Sequence, residues 1–203
     1  MTYTFKYRQL AEALYDSLTE DAFYIAMENS LAEKPSLRRE TMLRYYDYSM
    51  REARNYGSLL TPDDESWGAS ICSMPLDEQQ ATQKDSQKKA FLTQHMGNTS
   101  MATYAEITAF MDRHTMPCVP AGSWYLSIIG VAPPHQGQGW RQRLIRPLLE
   151  QAAGDRSHSF VYLETFTHRN MGFYRRLGFQ EKEAFDEPKT GSRYWVMIRE
   201  PAA

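Results

Sequence analysis

Glu164 closes the apolar run Phe160-Val-Tyr-Leu-Glu, a stretch of strand character. A carboxylate in such a run is costly to bury without a partner, and an acid so placed is often a working group with a raised pKa. Two uses stay open for it from the residues alone. It can take a proton as a general base, alone or through a water relay, or it can form a salt bridge to Arg169 or Arg175. A second chemical feature is a turn. Val131-Ala132-Pro133-Pro134 ends an apolar strand, because proline supplies no N–H to a ladder. Gln136-Gly137-Gln138-Gly139 then opens a helical pattern from Trp140 to Ala153, with Leu144, Ile145, Leu148, Leu149 and Ala152 at helical spacing. Glycine permits positive φ and close approach, and the unpartnered first N–H groups of a helix attract anions. This combination suits a pyrophosphate, although an ordinary glycine turn uses the same residues.

Two patterns narrow the choice. Gln136-x-x-Gly139-x-x is followed by Asn170-x-x-x-Tyr174-x-x-x-Gly178-Phe179, in that order. Together they resemble the two signatures of the GCN5-related N-acetyltransferases (GNAT). The run YLETFTHRNMGFYRRLGF and the ending SRYWVMIREPAA resemble in particular the puromycin N-acetyltransferase branch of that family. One position departs from the pattern: the last loop residue, Gly or Ala in the family, is Arg141, beside a bulky Trp140. Its guanidinium suits phosphate, so the departure reads as tolerated.

The resemblance implies an α/β (α+β) fold: a mixed central sheet of about six to seven strands, flanked by helices, with a helical insert before the central strand. It implies acetyl-CoA as cosubstrate and a small-molecule amine as acceptor, by direct transfer. The strand bearing Ile129, Gly130 and Val131 would offer backbone groups to the pantetheine arm. Gln136, Gly137, Gln138, Gly139, Trp140 and Arg141 would hold the pyrophosphate. The central strands would splay apart to admit the arm, and Asn170 would bond it from the far side. Tyr174 would protonate the departing sulfur, since a phenol of pKa about 10 can donate and recover a proton; Glu164 would be the base. Acetylation of a protein N-terminus or lysine is the alternative activity, and a non-catalytic acetyl-CoA binder is the third reading, kept open by Arg141.

The remaining chain must position these groups. Tyr3 to Arg8 alternates as a first strand should. Helices are expected from Leu10 to Thr19, from Asp21 to Glu28, and from Pro35 to Arg54. Ser36 is the N-cap of the third, which buries Leu37, Met42, Leu43, Tyr46 and Met50 and closes at Gly57. Strands Gly57–Leu60 and Trp67–Met74 flank the turn at 61–65. The polar stretch Leu76 to His95 reads as a solvent-facing helix or a mobile lid. Met101 to Met111 reads as an amphipathic helix. In this insert Tyr104, Glu106 and Asp112, together with Trp67, are candidate acceptor-pocket groups. The last strands are expected at Phe179–Glu183 and Arg193–Arg199, with Gly178 at the C′ position of the tyrosine helix.

Composition removes other classes. At 203 residues one domain is expected, with a variable acceptor-side region at about 20–120 and a coenzyme-binding core at about 123–180. A formal charge of −2 argues against nucleic acid held by bulk electrostatics. No apolar run approaches the ~18 residues of a membrane span. Two cysteines, Cys72 and Cys118, without a leader segment point to a cytoplasmic protein. His114 and Cys118 lack the further ligands of a zinc site, so no metal is expected. His135 beside the loop and His168 near the second motif have weaker cases. A homodimer is compatible with the sequence.

Overall fold

A computed structural model describes residues 3–32, 34–63, 66–154 and 160–201. Helices α1 (Arg8–Ser17), α2 (Ala22–Asn29) and α3 (Pro35–Tyr56) lead into the hairpin β1 (Gly57–Leu60) and β2 (Gly68–Ser73). Helices α4 (Glu78–His95) and α5 (Asn98–Thr115) form the expected insert before β3 (Trp124–Val131). Then come α6 (Trp140–Gly154), β4 (Val161–Thr165), α7 (Met171–Arg176) and the hairpin β5 (Gln180–Glu187) and β6 (Ser192–Arg199). The expected turn between β1 and β2 lies partly outside the described residues, at 64–65.

The strands form one mixed six-stranded sheet in the order β1-β2-β3-β4-β6-β5. All neighbours are antiparallel except β3 and β4, which run parallel. That parallel pair is registered only at Trp124↔Val161 and Tyr125↔Tyr162. Beyond Tyr125 the two strands part, and β3 continues to Val131 with its other edge held by β2. Alternation, interrupted by a bulge at Ser127, sends β3 side chains to two cores. Ile128 joins the layer of α1, α3 and α4, while Leu126, Ile129 and Val131 join the layer of α6 and α7. A third cluster packs Ile107 and Met111 of α5 against Tyr194, Val196 and Ile198 of β6.

The structure corrects the reading of the N-terminal segment. Tyr3 to Tyr7 pairs with no strand. Its donors go instead to one buried carboxylate on α3: Asp47 accepts from the Tyr3 hydroxyl at 2.7 Å, the Lys6 amide at 2.9 Å and the Tyr7 amide at 2.6 Å. Alternating residues suited a strand, but a side chain provided the acceptors that a ladder would have. At α3, Pro35 takes the first helical position, so Lys34 and not Ser36 is the N-cap; Leu37 is exposed because the first turn lies outside the core. Helix α4 is capped by an Asp77–Gln80 capping box. It is solvent-facing along much of its length, yet it buries Lys88, Phe91 and Leu92.

Asp47→Ala leaves three donors without their acceptor, two of them backbone amides, and is expected to lower stability by about 3 kcal/mol. Urea unfolding midpoints of the two proteins measure this; unchanged midpoints would show that water replaces the carboxylate freely.

Candidate active site

The glycine turn has the backbone that its sequence suggests. Gly137 and Gly139 have φ of 78° and 80°, and a Cβ built on either meets nothing within 4 Å. Such conformations favour glycine, and the open space leaves room for a ligand against the backbone. The Gly139 carbonyl accepts from the Gln142 and Arg143 amides, so the amides of 137–141 precede the first helical bonds of α6. Gln136 is committed elsewhere: its side-chain amide donates to the Val131 carbonyl at 2.9 Å and its backbone amide to Pro133. These two bonds brace the turn.

The other loop residues divide in the same way. Trp140 packs on Trp67 with ring centres 4.7 Å apart, beneath the Arg143 guanidinium, and its indole donates to Gln138. His135 packs against Trp67. Arg141 reaches the second motif. Its guanidinium donates to Asn170 Oδ1 at 3.1 Å and covers the Phe173 ring, tying the first motif to the second. Gly130 owes its identity to the opposite face, where a Cβ would lie 2.2 Å from Ser17 Oγ of α1. Ile129 and Val131 point into the α6 layer, which leaves the strand's backbone edge facing the gap to β4.

Glu164 stands on the other side of that gap. Its two oxygens accept from the Thr115 hydroxyl and, at 2.9 Å, from the Tyr125 hydroxyl. Tyr125 is stacked on Tyr162 with centroids 4.7 Å apart. The salt bridges open to Glu164 on sequence are taken: Arg169 pairs with Glu20 at 2.6 Å and Arg175 with Glu181 at 3.0 Å. Burial pushes the Glu164 carboxyl up to about 7, and the two hydroxyl donors hold it from rising further. Tyr174 is buried in the α6 layer and its phenol is pushed up to about 12, by desolvation first. Arg141 lowers that value and Asp21 raises it, so the phenol feels both the glycine-turn side and the helical side.

A cavity of about 650 Å³ opens on the Glu164 face. Tyr24, Tyr104, Asp112, Tyr125 and Tyr162 line it with Glu164. Of the acceptor-pocket candidates, Tyr104 and Asp112 are therefore there; Trp67 is under the glycine turn and Glu106 is paired with Lys189 on the surface. Sequence reasoning missed Asp21, Thr115 and Tyr125. Asp21 lines the cavity, caps α2 through the Phe23 amide, and is pushed up to about 6 by burial. No group of three or more potential metal ligands occurs among the described residues.

Comparison with known proteins agrees with this arrangement. A family model described as the acetyltransferase (GNAT) family matches residues 58–179. The chain belongs to the GNAT family. An uncharacterised N-acetyltransferase of Schizosaccharomyces pombe is 31% identical over 81 residues, which is 39% of this chain and 32% of that protein. The chain thus matches about a third of that relative's length. Among solved structures, one described as "histone acetyltransferase HPA2 and related acetyltransferase" from Corynebacterium glutamicum has a TM-score of 0.66 at 15% identity, covering 97% of this chain and 92% of that one. A Drosophila melanogaster polyamine N-acetyltransferase has a TM-score of 0.58 at 12% identity, covering 95% and 93%. Arylalkylamine N-acetyltransferase 2 of Aedes aegypti gives 0.58 at 13%, covering 97% and 94%. At these identities they establish a shared GNAT fold.

The Glu164 carboxyl has a pH consequence. Its pKa is raised in the folded chain above the unfolded value of 4.5, so between about pH 4.5 and 7 the folded state holds more protons. This group therefore favours folding at low pH and loses that contribution as pH rises through 7. Glu164→Gln should flatten the loss, worth up to about 3 kcal/mol between pH 5 and 8. Denaturant midpoints across that range measure it; parallel pH profiles would show a carboxyl that titrates normally.

Proposed function

We propose that this GNAT chain is an acetyl-CoA-dependent N-acetyltransferase whose acceptor is a primary amine on a small molecule. One observation carries the reading: a buried carboxyl, held by two hydroxyl donors, faces a cavity beside the gap between β3 and β4. Acetyl-CoA suits the other side of that gap, where the open glycine turn and the start of α6 would offer a pyrophosphate the amides that precede the first helical bonds. The amides of 137–141 would hold the phosphates, with Gln136 and Arg141 bracing them, and the β3 edge at Ile129–Val131 would meet the pantetheine arm. Asn170 keeps its amide N–H donors while its oxygen takes Arg141.

Two protons must move. An aliphatic ammonium of pKa near 10 cannot attack until deprotonated, and Glu164, near 7, is a matched acceptor at neutral pH. The freed amine adds to the thioester carbonyl, the nitrogen of the adduct gives its second proton to solvent, the carbon–sulfur bond breaks, and the thiolate takes the Tyr174 proton. A phenol raised to about 12 is fully protonated at pH 7 and ready to donate. The tyrosinate then recovers a proton from solvent. Helices α2, α4 and α5 wall the cavity, which favours a compact acceptor over a folded protein. An aminonucleoside such as puromycin belongs in the first substrate panel, on the finer sequence resemblance.

Tyr174→Phe is expected to lower kcat by about 100-fold or more, the range of general-acid contributions, with acetyl-CoA affinity near wild type. Thiol release with an amine panel and calorimetric binding separate the two effects. Turnover like wild type would remove the acid role. Glu164→Gln should abolish the acidic limb of the kcat/KM profile near pH 7; a limb that survives would move the base to another group or to water.

A further inference from the structure

The wall of the acceptor cavity remote from Glu164 holds two lysines that the chemistry above does not use. Lys84 and Lys88 lie one turn apart on α4 and both line the cavity. Lys88 is buried, 3.2 Å from Glu52 Oε2, with its ammonium over the Tyr45 and Tyr48 rings at 5.2 and 4.9 Å. Its charge is answered within the protein. Lys84 differs. Its ammonium donates to Ser73 Oγ at 2.9 Å, a neutral oxygen, and no carboxylate among the described residues pairs with it. The adjacent Asp85 is taken by Lys89 at 2.7 Å. Of the carboxylates near these two lysines, Asp85 is paired with Lys89 and Glu52 with Lys88; burial lowers the Lys88 pKa first, and the Lys84 charge adds to it. A part-buried ammonium with only a hydroxyl partner is a ready site for an anion.

Sheet register fixes where that site lies. Ser73 on β2 is opposite Tyr125 on β3, and Tyr125 is opposite Tyr162 on β4. Glu164 follows Tyr162 by two residues and so shares its face. Two strand spacings therefore separate the Ser73 end from the Glu164 end, on the order of 10 Å. We propose that Lys84 is the distal binding site of the acceptor cavity, taking a carboxylate on the order of 10 Å from the amine held at Glu164. The acceptor is then an amine with a remote carboxylate, not an α-amino acid, whose two groups are too close together.

This inference rests on the acetyl-transfer reading for the identity of the amine end, and its test uses a pair of probes that keeps the two apart. 8-Aminooctanoate and octylamine differ only in the terminal carboxylate. For the wild-type chain with coenzyme A present, calorimetry should show 8-aminooctanoate binding about tenfold tighter than octylamine, the size of one charge-assisted hydrogen bond. Lys84→Met and Lys84→Gln should bring that ratio near one, and Lys84→Arg should keep most of it. The ratio of kcat/KM for the two amines should follow the same order. Equal affinities in the wild type, or a Lys84→Met loss shared equally by both amines, would overturn the assignment. Should neither amine be acetylated while the binding ratio still depends on Lys84, the acetyl-transfer reading fails and the anion site stands.

Discussion

The short pairing of β3 with β4 is the constraint on which the rest depends. Two parallel strands in mid-sheet normally keep their backbone groups paired along their length, since buried N–H and C=O groups left open are costly. Here pairing stops after Tyr125, while β3 is still held by β2 to Val131 and β4 by β6 to Thr165. Each strand therefore has one secured edge and one open edge, and the open edges face each other. The two halves of the sheet are joined by the short β3–β4 pairing at Trp124 and Tyr125, and the gap opens beyond it. A ligand arm of peptide-like chemistry is the natural partner for such edges.

The candidate groups are arranged about that gap. On one side the parting strands lead to the glycine turn, whose positive-φ residues precede the first helical bonds of α6, and Arg141 ties that turn to Asn170. On the other side Glu164 faces the cavity built by the helical insert. Its burial is made tolerable by hydroxyls from two different elements, Thr115 at the end of α5 and Tyr125 on β3. Glu164 is thus fixed by the joint between the insert and the sheet.

Much of the glycine-turn side was legible in the chain because it is local. A strand ending in two prolines, a glycine turn and a helix follow one another without interruption, and backbone chemistry there depends on neighbouring residues. Glu164 was visible because it interrupts an apolar strand. Its partners were not, since Thr115 and Tyr125 stand 49 and 39 residues away and carry no motif. Asp21 looked like a helix start, which it is, and its place in the cavity depends on how α2 packs. Lys84 read as one of many polar residues on an exposed helix. The N-terminal segment was misread for a related reason: alternation says which side chains are buried, but Asp47, 40 residues on from Tyr7, decides where the backbone donors go.

The most direct measurement is calorimetric titration of acetyl-CoA into the wild-type chain and into Gly139→Val, whose side chain would occupy the open face of the turn at a φ that valine resists. A gap flanked by a phosphate-binding turn should give one-site binding in the wild type, weakened at least tenfold in the variant. No heat in the wild type, or equal affinity in both, would contradict it.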